Sequence, residues 1–170
     1  MSTLHKVWTL GADIDTDQLA PGAYMKLGIA DIAQHCLEGV RPEFASQAHA
    51  GDVIAAGPNF GIGSSREQAA GVLSHLGVAA VIAPSFSGLY FRNAFNLGLL
   101  LLTCPRATEV GEGERIDVRF EPGSDTPVVV GQSGAHLPCA PIPGFLMDMV
   151  QAGGLLPLLK QQRRSASHGR

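Results

Sequence analysis

The sequence is poor in cysteine, and its histidines follow no pattern that is typical of a metal site. Its three cysteines, Cys36, Cys104 and Cys139, stand far apart and include no C-x-x-C pair. An odd, scattered set argues against a disulfide framework and against a zinc or iron–sulfur site built by this chain alone. The six histidines show neither H-x-x-x-H nor H-E-x-x-H spacing. We therefore expect no metal ligands on this chain and a reducing compartment, the cytoplasm.

The sequence also lacks a long apolar run and a concentration of positive charge. Its longest apolar stretch, residues 97–103, is far shorter than the roughly 20 residues of a membrane span, and the N-terminus has no signal-peptide core. The net charge is −3 and no basic stripe is present, which excludes a nucleic-acid surface. With 170 residues, 45% of them hydrophobic, the chain can bury one core. We expect one domain over residues 1–160 and a disordered tail over residues 161–170.

Apolar segments that alternate with helical patterns predict an α/β fold. In the middle of the chain, strands separated by helices indicate parallel crossovers. Beyond residue 110, Ile116, Val118 and Phe120 alternate with charged residues, as in a half-exposed strand of a hairpin. The strands are expected at residues 6–10, 52–56, 78–83, 99–102, 116–120 and 128–130, and the main helices at residues 65–76, 85–96 and 145–152.

The most informative segment is the glycine-rich loop F-G-I-G-S-S-R-E at residues 60–67. Its glycines allow close backbone approach to a ligand, and Arg66 offers a planar, two-pronged group for a carboxylate or phosphate. The start of the expected helix adds unpaired N–H groups that attract anions. These features predict an anion site with candidate proton-transfer groups beside it. A structural alternative stays open, because Ser64 and Glu67 also fit the S-x-x-E capping box of a helix start.

Acidic residues alternate in the loop that follows the first predicted strand. Asp13, Asp15 and Asp17 resemble the beginning of a calcium loop, but the glycine and the distal glutamate of an EF-hand do not follow. We favour a carboxylate that orients a proton-transfer partner. On the helix expected at residues 85–96, Tyr90 and Asn93 lie one helical step apart and are expected to face inward together as satisfied polar residues.

Four sequence motifs occur in the order that is typical of one family. They are D-T-D-Q at residues 15–18, N-F-G-I-G-S-S-R-E at residues 59–67, A-P-S-F at residues 83–86 and N-L-G-L-L at residues 96–100. In these motifs the chain resembles the small subunit of 3-isopropylmalate dehydratase, the separate-chain form of the aconitase swivel domain. The resemblance covers nearly the whole chain. It implies a swivelling β/β/α domain, with a mixed sheet flanked by helices.

The resemblance also implies a partner and a reaction. Family members work with a large subunit that carries a [4Fe-4S] cluster on its own cysteines, so no cofactor is expected on this chain. The family reaction moves a hydroxyl between adjacent carbons of a 2-hydroxy dicarboxylate by dehydration and rehydration. An iron of the cluster acts as Lewis acid on the substrate hydroxyl. For this chain the most specific expectation is the conversion of 2-isopropylmalate to 3-isopropylmalate in leucine biosynthesis.

The matching residues have implied roles in that reaction. Ser64 matches the serine that removes the proton from the neighbouring carbon, and Arg66 matches the arginine that clamps a substrate carboxylate. Ser65 would add a hydrogen bond beside Arg66. Asp17 matches an acidic residue of the family active site and is expected to orient a partner across the subunit boundary.

Departures from the family pattern leave the substrate open. Substrates are distinguished in the loop after D-T-D-Q, where Tyr24 and Lys26 are substrate-binding candidates, and Lys26 either meets a distal carboxylate or is solvated. The Y-M-K-L sequence of that loop matches neither the isopropylmalate nor the homocitrate variants, and Ile62 and Gln68 replace a frequent cysteine and histidine. Homoaconitate, dimethylmalate or a methylmalate-type acid are alternative substrates. An alternative of another class is a non-catalytic carboxylate-binding module.

Overall fold

Seven strands form one mixed sheet in the computed structural model, which describes residues 3–169. Their order across the sheet is β4-β3-β2-β1-β5-β6-β7, and β1 therefore lies at its centre. The strands are β1 (His5–Thr9), β2 (Val53–Ala55), β3 (Ala80–Ala83), β4 (Leu100–Thr103), β5 (Arg115–Phe120), β6 (Pro127–Gly131) and β7 (His136–Pro138).

The helices vary widely in length, from single turns near the start of the chain to thirteen residues at its end. Two 3₁₀ turns, Gly22–Tyr24 and Ala107–Glu109, accompany them. The helices are α1 (Thr16–Leu19), α2 (Ile29–Ala33), α3 (Phe44–Gln47), α4 (Gln68–His75), α5 (Gly88–Asn96), α6 (Gly144–Ala152) and α7 (Leu155–Ser167).

The sheet changes character at β1. On one side, β1 pairs in parallel with β2, β2 with β3 and β3 with β4, so that the register Val7–Val53–Ala80–Leu100 crosses four strands. On the other side, β5, β6 and β7 run antiparallel. The α/β class and the mixed sheet expected from the sequence are confirmed.

The parallel half of the sheet is buried by helices. Every residue of β3 is buried, which is typical of a parallel strand covered on both faces. From α4, Ala69, Ala70, Val72 and Leu73 reach the core, and from α5, Tyr90, Ala94 and Phe95 do the same. These small and apolar helix faces fix α4 and α5, and with them the loops that precede them, against the sheet.

Several boundaries differ from the sequence expectations. The helix expected at residues 65–76 begins at Gln68, and the helix expected at residue 85 begins at Gly88. In each case polar loop residues before the helix are held by contacts from distant parts of the chain, which no local pattern reveals. The short elements α1, α3 and β7 were not predicted, because three or four residues are too few to show a period.

The C-terminal segment also differs from the expectation. Residues 161–167 continue α7, a helix that begins at Leu155. Lysine, arginine and glutamine favour the helix here, and Pro157 lies in the first turn, where a missing N–H does no harm. The domain boundary at residue 160 stays a prediction. No helix between residues 3 and 169 is long and apolar enough to cross a membrane.

Candidate active site

The candidate site lies where β1 and β2 end and their chains turn toward helices. Residues 10–15 lead from β1 to α1, and residues 56–67 lead from β2 to α4. Because β1 and β2 are parallel neighbours, their carboxyl ends share one edge of the sheet. Ligands of open α/β sheets bind at this edge. A parallel bridge between Asp15 and Ile62 joins the two loops directly.

Two glycines allow the second loop to pass close to its neighbours. Gly61 has φ +83° and Gly63 has φ +111°, in the region that favours glycine. A Cβ on Gly61 would lie 2.2 Å from Cγ of Tyr90, and one on Gly63 would lie 2.8 Å from Oγ1 of Thr16. Glycine at these two positions therefore allows the loop to pack closely against Tyr90 and Thr16. The close approach of a ligand, for which the sequence suggested them, stays a prediction.

Ser64 is an exposed residue whose hydroxyl is paired with a buried threonine. Its Oγ lies 3.2 Å from Oγ1 of Thr16, and its backbone N–H donates to the same Oγ1 over 2.9 Å. Thr16 in turn donates its N–H to the carbonyl of Ile62. Because the Thr16 oxygen accepts from the Ser64 N–H, its own proton can point to Ser64 Oγ. Sequence reasoning gave Thr16 no role, although it stands inside the D-T-D-Q motif.

The capping-box alternative for Ser64 is wrong. Helix α4 begins at Gln68, its N-cap is Glu67, and no side chain caps it. Ser64 lies four residues before the first helical residue, and Arg66 is likewise outside the first turn. The capping box of this site is on α1 instead, where Asp15 accepts from the N–H of Gln18 and the Gln18 side chain accepts from the N–H of Asp15.

Arg66 and Asp17 form an ion pair beside Ser64. Nη1 of Arg66 donates to Oδ1 of Asp17 over 2.9 Å and to the carbonyl of Ala20 over 3.3 Å. Asp17 also accepts from the N–H of Gly22. The hydrogen bond from Arg66 lowers the pKa of the Asp17 carboxyl below its usual value. About a third of the Arg66 side chain and most of the Asp17 side chain face solvent, so a small anion can reach the guanidinium.

The remaining predicted site residues, Ser65, Lys26 and Tyr24, differ in their exposure and contacts. Ser65 is exposed, and its carbonyl accepts from Nδ2 of Asn93 on α5. Lys26 is exposed in the loop that starts at Gly22. The ring of Tyr24 stacks on His35, so its role as a substrate ligand stays a prediction.

Each of the three alternating aspartates has a different partner. Asp13, at φ +58°, accepts from Nδ2 of Asn59, itself at φ +63°, and this bond ties the two loops together. Asp15 caps α1, and Asp17 binds Arg66. Between residues 3 and 169, no group of three or more histidine, cysteine or acidic side chains is arranged to hold a metal ion.

The two inward-facing polar residues predicted on α5 are both satisfied. The buried Tyr90 hydroxyl donates to the carbonyl of Ala69, and Asn93 donates to Ser65. They hold α5 against α4 and against the loop that carries Ser64.

The cysteine side chains do not fit an iron–sulfur cluster, which takes thiolate ligands. All three are buried. Burial raises the pKa of the Cys36 thiol far above its usual value. The Cys139 thiol donates to the carbonyl of Leu137, and the neighbouring Cys104 thiol and burial raise its pKa.

Comparison with known proteins assigns the chain to a family. Residues 38–107 match the family model of the aconitase C-terminal domain. Over 166 residues the chain is 41% identical to 3-isopropylmalate dehydratase small subunit 1 of Methanopyrus kandleri, and the match covers 96% of each chain. The chain belongs to the family of 3-isopropylmalate dehydratase small subunits.

Two further proteins, one of them with a solved structure, are similar to this chain over most of its length. The crystal structure of 3-isopropylmalate dehydratase (LeuD) from Methanocaldococcus jannaschii superimposes with a TM-score of 0.89 at 32% sequence identity, and all of both chains is covered. The methanogen homoaconitase small subunit of Methanothermobacter thermautotrophicus is 38% identical over 152 residues, which cover 89% of this chain and 86% of that protein. Proteins of both names therefore lie at nearly the same sequence distance from this chain.

Proposed function

We propose that this chain is the small subunit of a heteromeric hydro-lyase that converts 2-isopropylmalate to 3-isopropylmalate by dehydration and rehydration. The observation that carries the proposal is the placement of Ser64 and Arg66. One exposed loop presents a hydroxyl and a guanidinium at the carboxyl edge of the sheet, and α1 supplies a fixed partner to each. The 3-isopropylmalate dehydratase small subunits among its relatives support the choice of substrate.

In this proposal Arg66 binds a substrate carboxylate. A guanidinium and a carboxylate form two parallel hydrogen bonds, which fixes the orientation of the acid as well as its position. Asp17 and the carbonyl of Ala20 hold Nη1 and so limit the rotation of the guanidinium. Ser65 adds a hydrogen bond to the bound carboxylate. Asp17, which keeps its negative charge beside Arg66, also orients a group of the partner subunit.

Ser64 acts as the base that removes the proton from the carbon next to the hydroxyl-bearing carbon. A serine hydroxyl is a poor base, so its alkoxide needs stabilisation from fixed hydrogen-bond donors and nearby positive charge. Thr16 is such a donor, since its oxygen already accepts from the Ser64 N–H. Arg66, two residues along the same loop, brings the positive charge. In the hydration direction the Ser64 proton returns to the carbon.

The rest of the site belongs to a large subunit in the same cytoplasmic complex. Ser64, Ser65 and Asp17 are exposed in this chain, and a reaction of this kind needs a surface that excludes water from them. The [4Fe-4S] cluster is held by cysteines of the large subunit, where its iron supplies Lewis-acid chemistry to the substrate.

A second substrate class is supported by a specific observation. The homoaconitase small subunit is nearly as similar to this chain as the isopropylmalate relatives are. Lys26 is exposed in the loop next to the Arg66 site, where its cation would suit the third carboxylate of a homocitrate-type acid. The two substrates therefore differ in which carboxylate Lys26 meets: the third carboxylate of a homocitrate-type acid, or the carboxylate of 2-isopropylmalate that Arg66 does not bind.

Reconstitution tests the proposal. This chain, the purified large subunit and their mixture are assayed for formation of the unsaturated acid from 2-isopropylmalate and from homocitrate. We expect turnover by the mixture alone, with 2-isopropylmalate preferred. Turnover by the isolated chain would contradict the division of the site between two subunits. A mixture that uses only homocitrate would replace the substrate.

A further inference from the structure

Tyr24 joins the substrate loop to the segment that follows α2. Its ring stacks on the imidazole of His35, with centroids 3.6 Å apart and planes inclined by 10°. The carboxylate of Glu38 interacts with its hydroxyl and raises the pKa of the phenol. His35 Nδ1 lies 2.7 Å from Oε2 of the same carboxylate. We call Tyr24, His35 and Glu38 together the loop anchor.

The loop anchor restrains the residues on either side of Lys26. Tyr24 donates its N–H to the carbonyl of Pro21 over 3.0 Å, and its own carbonyl accepts from the N–H of Leu27 over 2.9 Å. Lys26 therefore lies within a turn whose first residue is Tyr24. At the other end of the loop, Gly22 donates to Asp17, the partner of Arg66. Movement of Tyr24 would change the position of Lys26 relative to Arg66.

The segment that carries His35 and Glu38 is itself fixed to α1. Leu37, fully buried at φ +60°, donates its N–H to the carbonyl of Gln18 over 2.9 Å. The preceding residues of α1 are Thr16, which contacts Ser64, and Asp17, which binds Arg66. One four-residue helix is thus the common support of the loop anchor and the anion site.

The anchor contributes little to the stability of the fold as a whole. The side chains of His35 and Glu38 are 32% and 43% exposed, and polar pairs at such positions add little to the free energy of unfolding. Their geometry matters for the local order of the loop. A loop that is ordered before the substrate binds does not add the cost of its ordering to the free energy of binding. Small displacements of a binding group also have large effects on how a substrate is held.

We propose that His35 and Glu38 are positioning residues, which act through Tyr24 to set the distance between Lys26 and Arg66 in the substrate site. Tyr24 then has a positioning role in place of a substrate contact. The inference rests on the proposed function, since it concerns the affinity of the same site. It predicts that the loop anchor selects acids by the separation of their anionic groups.

The test compares Glu38→Ala, Glu38→Gln and Tyr24→Phe in the reconstituted enzyme with the wild-type chain. Glu109→Ala is the matched control, because Glu109 forms an exposed i, i+3 pair with Arg106 far from the loop in sequence. Glu38→Ala removes the hydrogen-bond partner of His35, and Tyr24→Phe removes the hydroxyl that interacts with Glu38. We expect each to raise KM about fivefold and to leave kcat within about twofold. Glu38→Gln keeps an acceptor oxygen and restores most of the affinity. The control keeps the wild-type KM, and the melting temperatures of all variants agree.

A double-mutant cycle with Lys26→Ala tests the proposed route. If the anchor acts on Lys26, Glu38→Ala has no further effect on KM in the Lys26→Ala background. Additive effects, or a Glu38→Ala variant that behaves like the control, would overturn the inference while wild-type turnover still supports the proposed function. Failure of the wild-type mixture to turn over any hydroxy acid would overturn the proposed function instead.

Discussion

The parallel half of the sheet, β1–β4, and the antiparallel half, β5–β7, make their connections in different ways. In the parallel half, the connections after β1 and β2 contain Asp13, Leu37 and Asn59, the three non-glycine residues with positive φ among those described. In the antiparallel half, the turns place glycine at the positive φ angles, as at Gly113, Gly123 and Gly134. Strained backbone is thus concentrated in the half that carries the candidate site.

The two halves also differ in what surrounds their glycines. A Cβ on Gly61 or Gly63 would overlap a neighbouring side chain, whereas one on Gly113, Gly123 or Gly134 would meet nothing within 4 Å. At Gly113, Gly123 and Gly134, glycine is needed only for the positive φ angle of the turn. The site glycines also bring two loops into contact, because that contact places Ser64 against Thr16. Backbone strain of this kind persists where the surrounding structure enforces it, and it is frequent at functional sites.

Replacement of Ser64, in the parallel half, should have the largest effect, a loss of catalytic activity that no serine of the antiparallel half should share. Ser64→Ala removes the proposed base and should lower kcat of the reconstituted enzyme by about 10²–10⁴-fold. The melting temperature should not change, because the side chain is exposed. Ser133→Ala, an exposed serine in the antiparallel half, is the control and should keep full activity. A Ser64→Ala variant with lower stability but unchanged kcat would show that the loop has only a structural role.

Replacement of Gly61 measures the packing of the site loop directly. An alanine Cβ would lie 2.2 Å from Cγ and 2.4 Å from Cβ of Tyr90, so no rotamer of Tyr90 removes the overlap. Gly61→Ala and Gly123→Ala share the cost of a non-glycine residue at positive φ, about 1 kcal/mol or more. The overlap should destabilise Gly61→Ala by about a further 1–3 kcal/mol. Urea unfolding of both variants gives the difference, and equal midpoints would mean that the loop is free to move away.

The part of the site that sequence could predict is the part encoded in local motifs. The G-x-G-S-S-R segment identified Ser64, Ser65 and Arg66 as candidates, and the alternation of strands and helices predicted the parallel half of the sheet. Two short segments, however, satisfied the rules for a capping box. Residues 15–18 form the box, whereas Ser64 contacts Thr16, 48 residues away in sequence, and residues 64–67 precede the helix.

Long-range pairing also explains the other findings that sequence reasoning missed. The contact of Arg66 with Asp17 depends on β2 lying beside β1, and strand order cannot be read from the hydrophobic pattern of either strand. His35 and Glu38 lie three residues apart on either side of two buried residues, and only the fold brings Tyr24 against them.

Replacement of Arg66 by lysine has a smaller expected effect than loss of Ser64. Lysine keeps the charge but cannot form two parallel bonds to one carboxylate. The loss of one charge-assisted hydrogen bond should raise KM about tenfold, with a smaller change in kcat. Arg119→Lys is the control, since Arg119 pairs with Asp117 in the antiparallel half. An unchanged KM for Arg66→Lys would contradict the proposed carboxylate clamp.

The smallest expected effect concerns the ion pair that joins the two halves. The β1–β5 ladder pairs His5 with Ile116 and Lys6 with Arg115, and Val7 forms backbone hydrogen bonds with Glu114 and Gly113 just before β5. Beyond it, Glu112 accepts from Arg41 and from Thr9, the last residue of β1. The hydrogen bond from Arg41 lowers the pKa of Glu112 from 4.5 to about 2. A carboxyl with a lowered pKa in the folded state adds stability above pH 4.5 and loses it as the pH falls toward 2.

Glu112→Gln tests whether the Arg41–Glu112 ion pair stabilises the contact between the parallel and antiparallel halves. Because the Glu112 side chain is 44% exposed, the expected loss at pH 7 is at most about 1 kcal/mol. The urea midpoint of the wild-type protein should fall more steeply than that of the variant between pH 4.5 and 2, and the two should converge at the acid end. Glu121→Gln, an exposed position in the turn after β5, should follow the wild-type curve. Parallel curves for wild type and Glu112→Gln would mean that backbone pairing and core packing alone hold the antiparallel half to β1.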